Sequence, residues 1–177
     1  MNYELAEDAI IGLLQPMTTG GNVLVMPMPE SDSDMKTVLT KSQVWVCYNG
    51  GAFDFPKSTG AGVQEGKVDF EIIFRSKTRR GSVGCYSLML ATKNLLIGQR
   101  PNRDVFQAML YLTEEGLIKY DDRGEWLYRQ VYSSKSLDLQ SDSNEADVIL
   151  NQINTSDNIT VTVGIDLPPI DFTPPNN

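Results

Sequence analysis

The chain has 177 residues, 41% of them hydrophobic, with a net charge of −8 and a pI near 4.5. That length holds one core with at most an appendage, and the acidic balance argues against a general nucleic-acid binder, which needs a clustered positive surface. Histidine is absent, which excludes Ser-His-Asp and Cys-His catalysis and removes the commonest metal ligand.

The first segment, "NYELAEDAIIGLLQP", places Leu5, Ala9 and Leu13 at helical spacing, flanked by Ala6 and Ile10. Glu4, Glu7 and Asp8 fall early, where carboxylates favour a helix N-terminus, and Pro16 is the expected stop. "NVLVMPMPE" predicts a short strand ended by Pro27 and Pro29. "ESDSDMKTVLTK" superficially resembles a calcium loop, but it lacks the glycine and closing glutamate of one and reads as an exposed connection. "SQVWVCYNGGAFDF" predicts a strand apolar on both faces, with Val44, Val46 and Tyr48 on one side and Trp45 and Cys47 on the other. Such a strand belongs inside a sheet, and "NGG" is expected to break it.

"PKSTGAGVQEG" reads as a Gly-rich hairpin loop. Its glycines have the wrong spacing for a dinucleotide fingerprint, and a strand follows instead of a helix. In "KVDFEIIFRSK", Val68, Phe70, Ile72 and Phe74 alternate with Asp69, Glu71, Ile73 and Arg75, the pattern of a half-buried antiparallel strand. A basic turn, "TRRG", leads into a helix with Ser82 as N-cap. Val83, Tyr86, Leu90 and Ile97 recur at helical spacing, and Gly98 is the stop. A phosphate-cradling loop needs free amides aimed at a ligand. Here the basic side chains Arg75, Lys77, Arg79 and Arg80 read as a rim and not a pocket.

The stretch from Arg100 to Gln140 has two readings. Either "VFQAMLYLTEEG" is a helix, or "AMLYLTEEGLIKYDD" and "EWLYRQVYSSKSLDL" form a hairpin turning at "DDRG". From Ser141 the composition turns polar, with four prolines near its end. The expected organisation is therefore a domain over residues 1–140 and an extended arm over 141–177. In the arm, Ile159, Val161 and Val163 alternate as a strand able to add to a sheet edge. Cys47 and Cys85 lie in apolar runs without CxxC spacing and are expected to be buried free thiols. The start "MNYELAED" has no basic or apolar leader, so a soluble chain made in a cytosol is expected. Asp69 with Glu71, and Glu114 with Glu115, are the carboxylate pairs an acid–base enzyme would use. Without an aromatic-lined cleft they read as solvated pairs.

"ELAEDAIIGLL", "VWVCYNGGAFDF", "KVDFEIIFRSKTRRGSVGCYSLMLATKNLLIGQRP" and "GEWLYRQVYSS" together resemble the Mu-like phage tail protein family whose members act as tail terminators. The resemblance spans roughly residues 2–136. It implies an α+β fold, with helices packed on one face of a mostly antiparallel sheet. It also implies a homohexameric ring that caps the tail tube, located at the tail–neck junction of a virion and assembled in the host cytoplasm. The implied partners are other copies of the chain, the tail tube protein, a sheath protein in contractile tails and a neck or connector protein. DNA would at most pass through the lumen, and no membrane is implied. No catalytic, cofactor-binding or metal-binding residues are expected. Expected interface residues are the basic turn (Arg75, Lys77, Arg79, Arg80), the loop (Phe53, Phe55, Lys57) and the arm strand (Ile159, Val161, Val163). An adaptor module outside the tail, or another head–tail connector, is the competing reading.

Overall fold

The computed structural model describes residues 2–54 and 63–139. Phe55, Lys57 and the whole expected arm, including Ile159, Val161 and Val163, lie outside the described residues. The architecture is α+β: one five-stranded sheet in the order β1-β2-β3-β5-β4, with two principal helices over one face.

Helix α1 (Tyr3–Leu14) starts where the Asn2 side chain accepts the Leu5 amide at 3.2 Å, and it tightens into a 3-10 turn (Gln15–Thr18) at Pro16. Its buried stripe is Ala6, Ile10 and Leu14. The expected Leu5–Ala9–Leu13 stripe is rotated by one position, and Leu5 is 51% exposed. The N-terminal turn is fixed from two sides: Tyr3 stacks on Tyr48 with centroids 4.1 Å apart, and Glu7 accepts the Tyr48 amide at 2.7 Å. This anchoring on β2, not the helix's own periodicity, sets which stripe is buried.

β1 (Val23–Pro27) runs parallel to β2 (Ser42–Phe53), and every other pairing is antiparallel. Between them, a single turn α2 (Asp32–Met35) interrupts the expected plain connection, with Ser31 Oγ accepting the Asp34 amide at 3.2 Å. "NGG" does not end β2. The register slips between Tyr48 and Gly50, and Gly50 takes φ 115°, so the strand bulges and continues to pair Phe53 with Gly66. β3 (Val63–Ser76) consequently begins earlier than expected and takes Val63–Gly66 from the predicted loop.

On the helix side, Val68, Phe70, Ile72 and Phe74 of β3 are fully buried with Val44 and Val46 of β2 and Tyr132 of β5 (Trp126–Leu139). Phe106 packs on Phe70 at 5.5 Å. Helix α3 (Cys85–Leu96) contributes Cys85, Leu88, Thr92 and Leu96 to this core. The predicted stripe Tyr86–Leu90–Ile97 instead faces outward. Gly98, at φ 77°, ends α3 as expected. The hairpin reading of the last segment is the one formed, with β4 (Tyr111–Tyr120) and β5 closing at Asp121–Gly124; the helical alternative is not adopted. Cys85 is buried and Cys47 half-buried, and both are free thiols that burial pushes up to about 11.

Candidate assembly surface

The basic turn joins β3 to α3, and its backbone is committed to the helix. The amides of Gly84, Cys85 and Tyr86 donate to the carbonyls of Gly81, Thr78 and Arg79 at 3.1, 3.1 and 3.0 Å. Gly84, not Ser82, is the N-cap. A Cβ at Gly84 would come within 2.4 Å of the Arg80 carbonyl, so only glycine lets the turn wrap this tightly. Amides at the helix start that would hold a phosphate are already bonded within the turn, which is the physical reason the turn is a rim and not a cradle.

Arg75 does not belong to that rim. It is 1% exposed, and its Nε donates to Glu125 Oε2 at 2.7 Å, Nη1 to Gln43 Oε1 at 3.1 Å and Nη2 to the Thr37 carbonyl at 2.7 Å. Its guanidinium also lies 5.7 Å from the Trp45 ring centroid. The expectation of Arg75 as a surface contact is therefore corrected: alternation puts it on the face away from the helices, where Glu125 meets it. Lys77, Arg79 and Arg80 are exposed as expected. Arg100, beyond the end of α3, donates to the carbonyls of Phe106 and Arg103 and so ties its own loop. Phe53 is half-buried, its ring lying over Gly66.

Arg79 and Arg80 border an aromatic group that sequence reasoning did not assemble. The Arg79 guanidinium sits 4.4 Å from the Trp126 centroid, and Trp126 packs against Tyr120 at 4.4 Å. Tyr86 and Tyr128 meet edge to face at 5.5 Å, with their hydroxyls 3.3 Å apart. That hydrogen bond holds the Tyr86 phenol below the usual range against its own desolvation, with Arg79 and Arg80 adding to the effect. Burial pushes Tyr128 up. The alternation of Trp126 and Tyr128 was the available signal. The turn was legible too, but nothing local indicated that α3 would set Tyr86 beside them.

The group continues along a ledge. α1 lies over β1 and β2 and α3 over β3 and β5, so the edge strand β4 is left outboard of the helix layer. Leu117 and Tyr120, paired with Tyr128 and Trp126, remain 53% and 57% exposed, and Leu90 on α3 is 60% exposed. Lys93 of α3 bridges to Glu115 of β4 at 2.6 Å and forms the floor of this ledge. Aromatic residues and arginine are the types enriched at the centres of protein interfaces. The carboxylate pairs are engaged by neighbouring side chains: Asp69 by Lys67 and Ser133, Glu71 and Glu114 by Arg129, and Glu115, in the ledge itself, by Lys93 and Gln130. Among the described residues, no group of three or more His, Cys, Asp or Glu could hold a metal ion, and no helix is long and apolar enough to cross a membrane.

A chain of the virion of a native gene transfer agent particle has a similar fold, with a TM-score of 0.52 and 11% sequence identity. The match covers 75% of this chain and 94% of that chain. No curated protein matches. The model of the Gp37 protein family matches residues 14–157, most of the length described above, and the chain belongs to that family.

Proposed function

We propose that this chain is a structural protein of a phage-like particle, and within it the terminator that caps the tail tube and joins the tail to the neck. The observation that carries the reading is the fold likeness over 94% of a virion chain. Fold likeness alone does not specify function, and the exposed aromatic and cationic ledge supports an assembly role independently. The chain works without chemistry, as a homohexameric ring whose subunits meet side by side. One face matches the end of the tube. The other fails to reproduce it, so that no further tube ring can add. Its partners are other copies of itself, the tube, a sheath where the tail is contractile, and a neck protein.

The test is electron microscopy of lysates from particles carrying a nonsense mutation in this gene. Unjoined heads and tails, with tails overlong or ragged, are expected. Tails of normal length attached to heads would overturn the terminator role and favour a binding module outside the tail.

A further inference from the structure

We infer that the ledge formed by α3 and β4 receives the outer face of helix α1 from a second copy of this chain, an inference that rests on the ring reading above. Three observations carry it. The first is shape: the sheet has a helix layer over β1, β2, β3 and β5, and β4 alone lies outboard of it, leaving a position beside α3 that suits one more helix. Around the Lys93–Glu115 bridge, that position presents exposed apolar and aromatic side chains: Tyr86, Leu90, Leu117 and Tyr120. Removing them from water stabilises an association on the order of 25 cal/mol per Å² before the costs of ordering.

The second observation is charge. The ledge is bordered by Arg79 and Arg80, which form no ion pair among the described residues. The exposed face of α1 carries Glu4 and Asp8, one turn apart and likewise unpaired there, next to the exposed Leu5. The third carboxylate of that helix, Glu7, is already bonded to the Tyr48 amide and is not available.

The third is placement. α1 covers the β1 side of the sheet and α3 the β4 side, so the acidic and basic faces sit toward opposite edges of one chain. A two-fold contact through the ledge would oppose Arg79 and Arg80 to their own copies. Like charges disfavour that arrangement, and the head-to-tail contact brings opposite charges together.

The experiment is a charge exchange in the full chain, with sedimentation velocity on the purified protein and the amount of chain in assembled particles as two readouts. R79E/R80E is expected to weaken association at least about tenfold. E4R/D8R is expected to do the same. That variant is less acidic than the wild type, whose net charge is −8, so relief of general repulsion would strengthen association, and only loss of a specific pairing weakens it. The fourfold variant keeps the wild-type net charge and is expected to recover most of the association. All four positions are exposed, so circular dichroism should show folded protein throughout.

If the reversals at Arg79 and Arg80 disrupt assembly but those at Glu4 and Asp8 neither disrupt nor restore it, α1 is the wrong occupant and the ring stands. α1 is equally ruled out if the wild-type ring forms and neither reversal affects it. A wild-type chain that stays monomeric alone and is absent from particles overturns the ring reading itself.

Discussion

Arg75 shows how one side chain can be misplaced by its neighbours in sequence. It stands beside Lys77, Arg79 and Arg80 and shares their charge, yet its partner Glu125 is fifty positions away. Desolvating both ions is costly, and the pair is held only because Gln43, the Thr37 carbonyl and Arg123 satisfy what remains. Removing one member leaves the other buried and unpaired. Arg75→Met should therefore lower stability by about 3–5 kcal/mol, whereas the double variant Arg75→Met with Glu125→Leu should cost less than the sum of the singles. Urea unfolding of the cycle measures both quantities. A single-variant loss under about 1 kcal/mol would show that the pair is not holding the sheet to the segment around Thr37.

At the scale of elements, the β4–β5 hairpin depends on one carboxylate. Asp121 accepts the amides of Arg123 and Glu125, each at 3.1 Å, and the Arg123 guanidinium at 2.9 and 2.8 Å. Desolvation opposes its charge, but these bonds outweigh desolvation and hold Asp121 below its ordinary 3.8. A carboxyl lowered by folding stabilises the native state above its unfolded value. That contribution fades as pH falls from about 3.8 through the lowered folded value. Asp121→Asn should thus be destabilising at neutral pH, with the gap to wild type closing below that point, as urea midpoints across a pH series would record. Glu115, lowered mainly by its bond from Lys93, titrates in the same sense, so Glu115→Gln serves as a comparison for the strand beside the turn. A gap for Asp121→Asn that stays constant with pH would mean the turn is held by shape and not by charge.

Among the described residues, the sheet buries its helix side and, around Trp45, Ile73 and Arg75, part of its other face, while the ledge leaves an apolar surface in water. Core and ledge respond differently to the same substitution. Leu90→Ser and Leu117→Ser remove exposed groups and should leave unfolding free energy within about 0.5 kcal/mol of wild type. They should nonetheless reduce self-association and incorporation into particles. Comparable truncation of a fully buried neighbour such as Leu96→Ala should cost about 2–5 kcal/mol instead. Substitutions at Leu90 and Leu117 that unfolded the chain would place them in its core and remove the ledge as a surface.

Several features were determined by the sequence alone, because they rest on short-range rules. Alternation in "KVDFEIIF" sets four side chains on one face of a strand whatever lies above it, and those four are fully buried. Gly98 ends α3 because a left-handed residue is needed there. Other features were decided only in three dimensions. Tyr86, Leu90 and Ile97 keep helical spacing, as do Cys85, Leu88, Thr92 and Leu96. Periodicity marks both stripes as regular, and only packing against β3 and β5 chooses which one is buried. The stripe of α1 is rotated because Tyr48 and Glu7 fix its first turn, a contact across forty-one positions. Arg75 left the basic rim for the same reason: which partner a charge meets depends on the pairing of distant strands, and local pattern carries no information about that pairing.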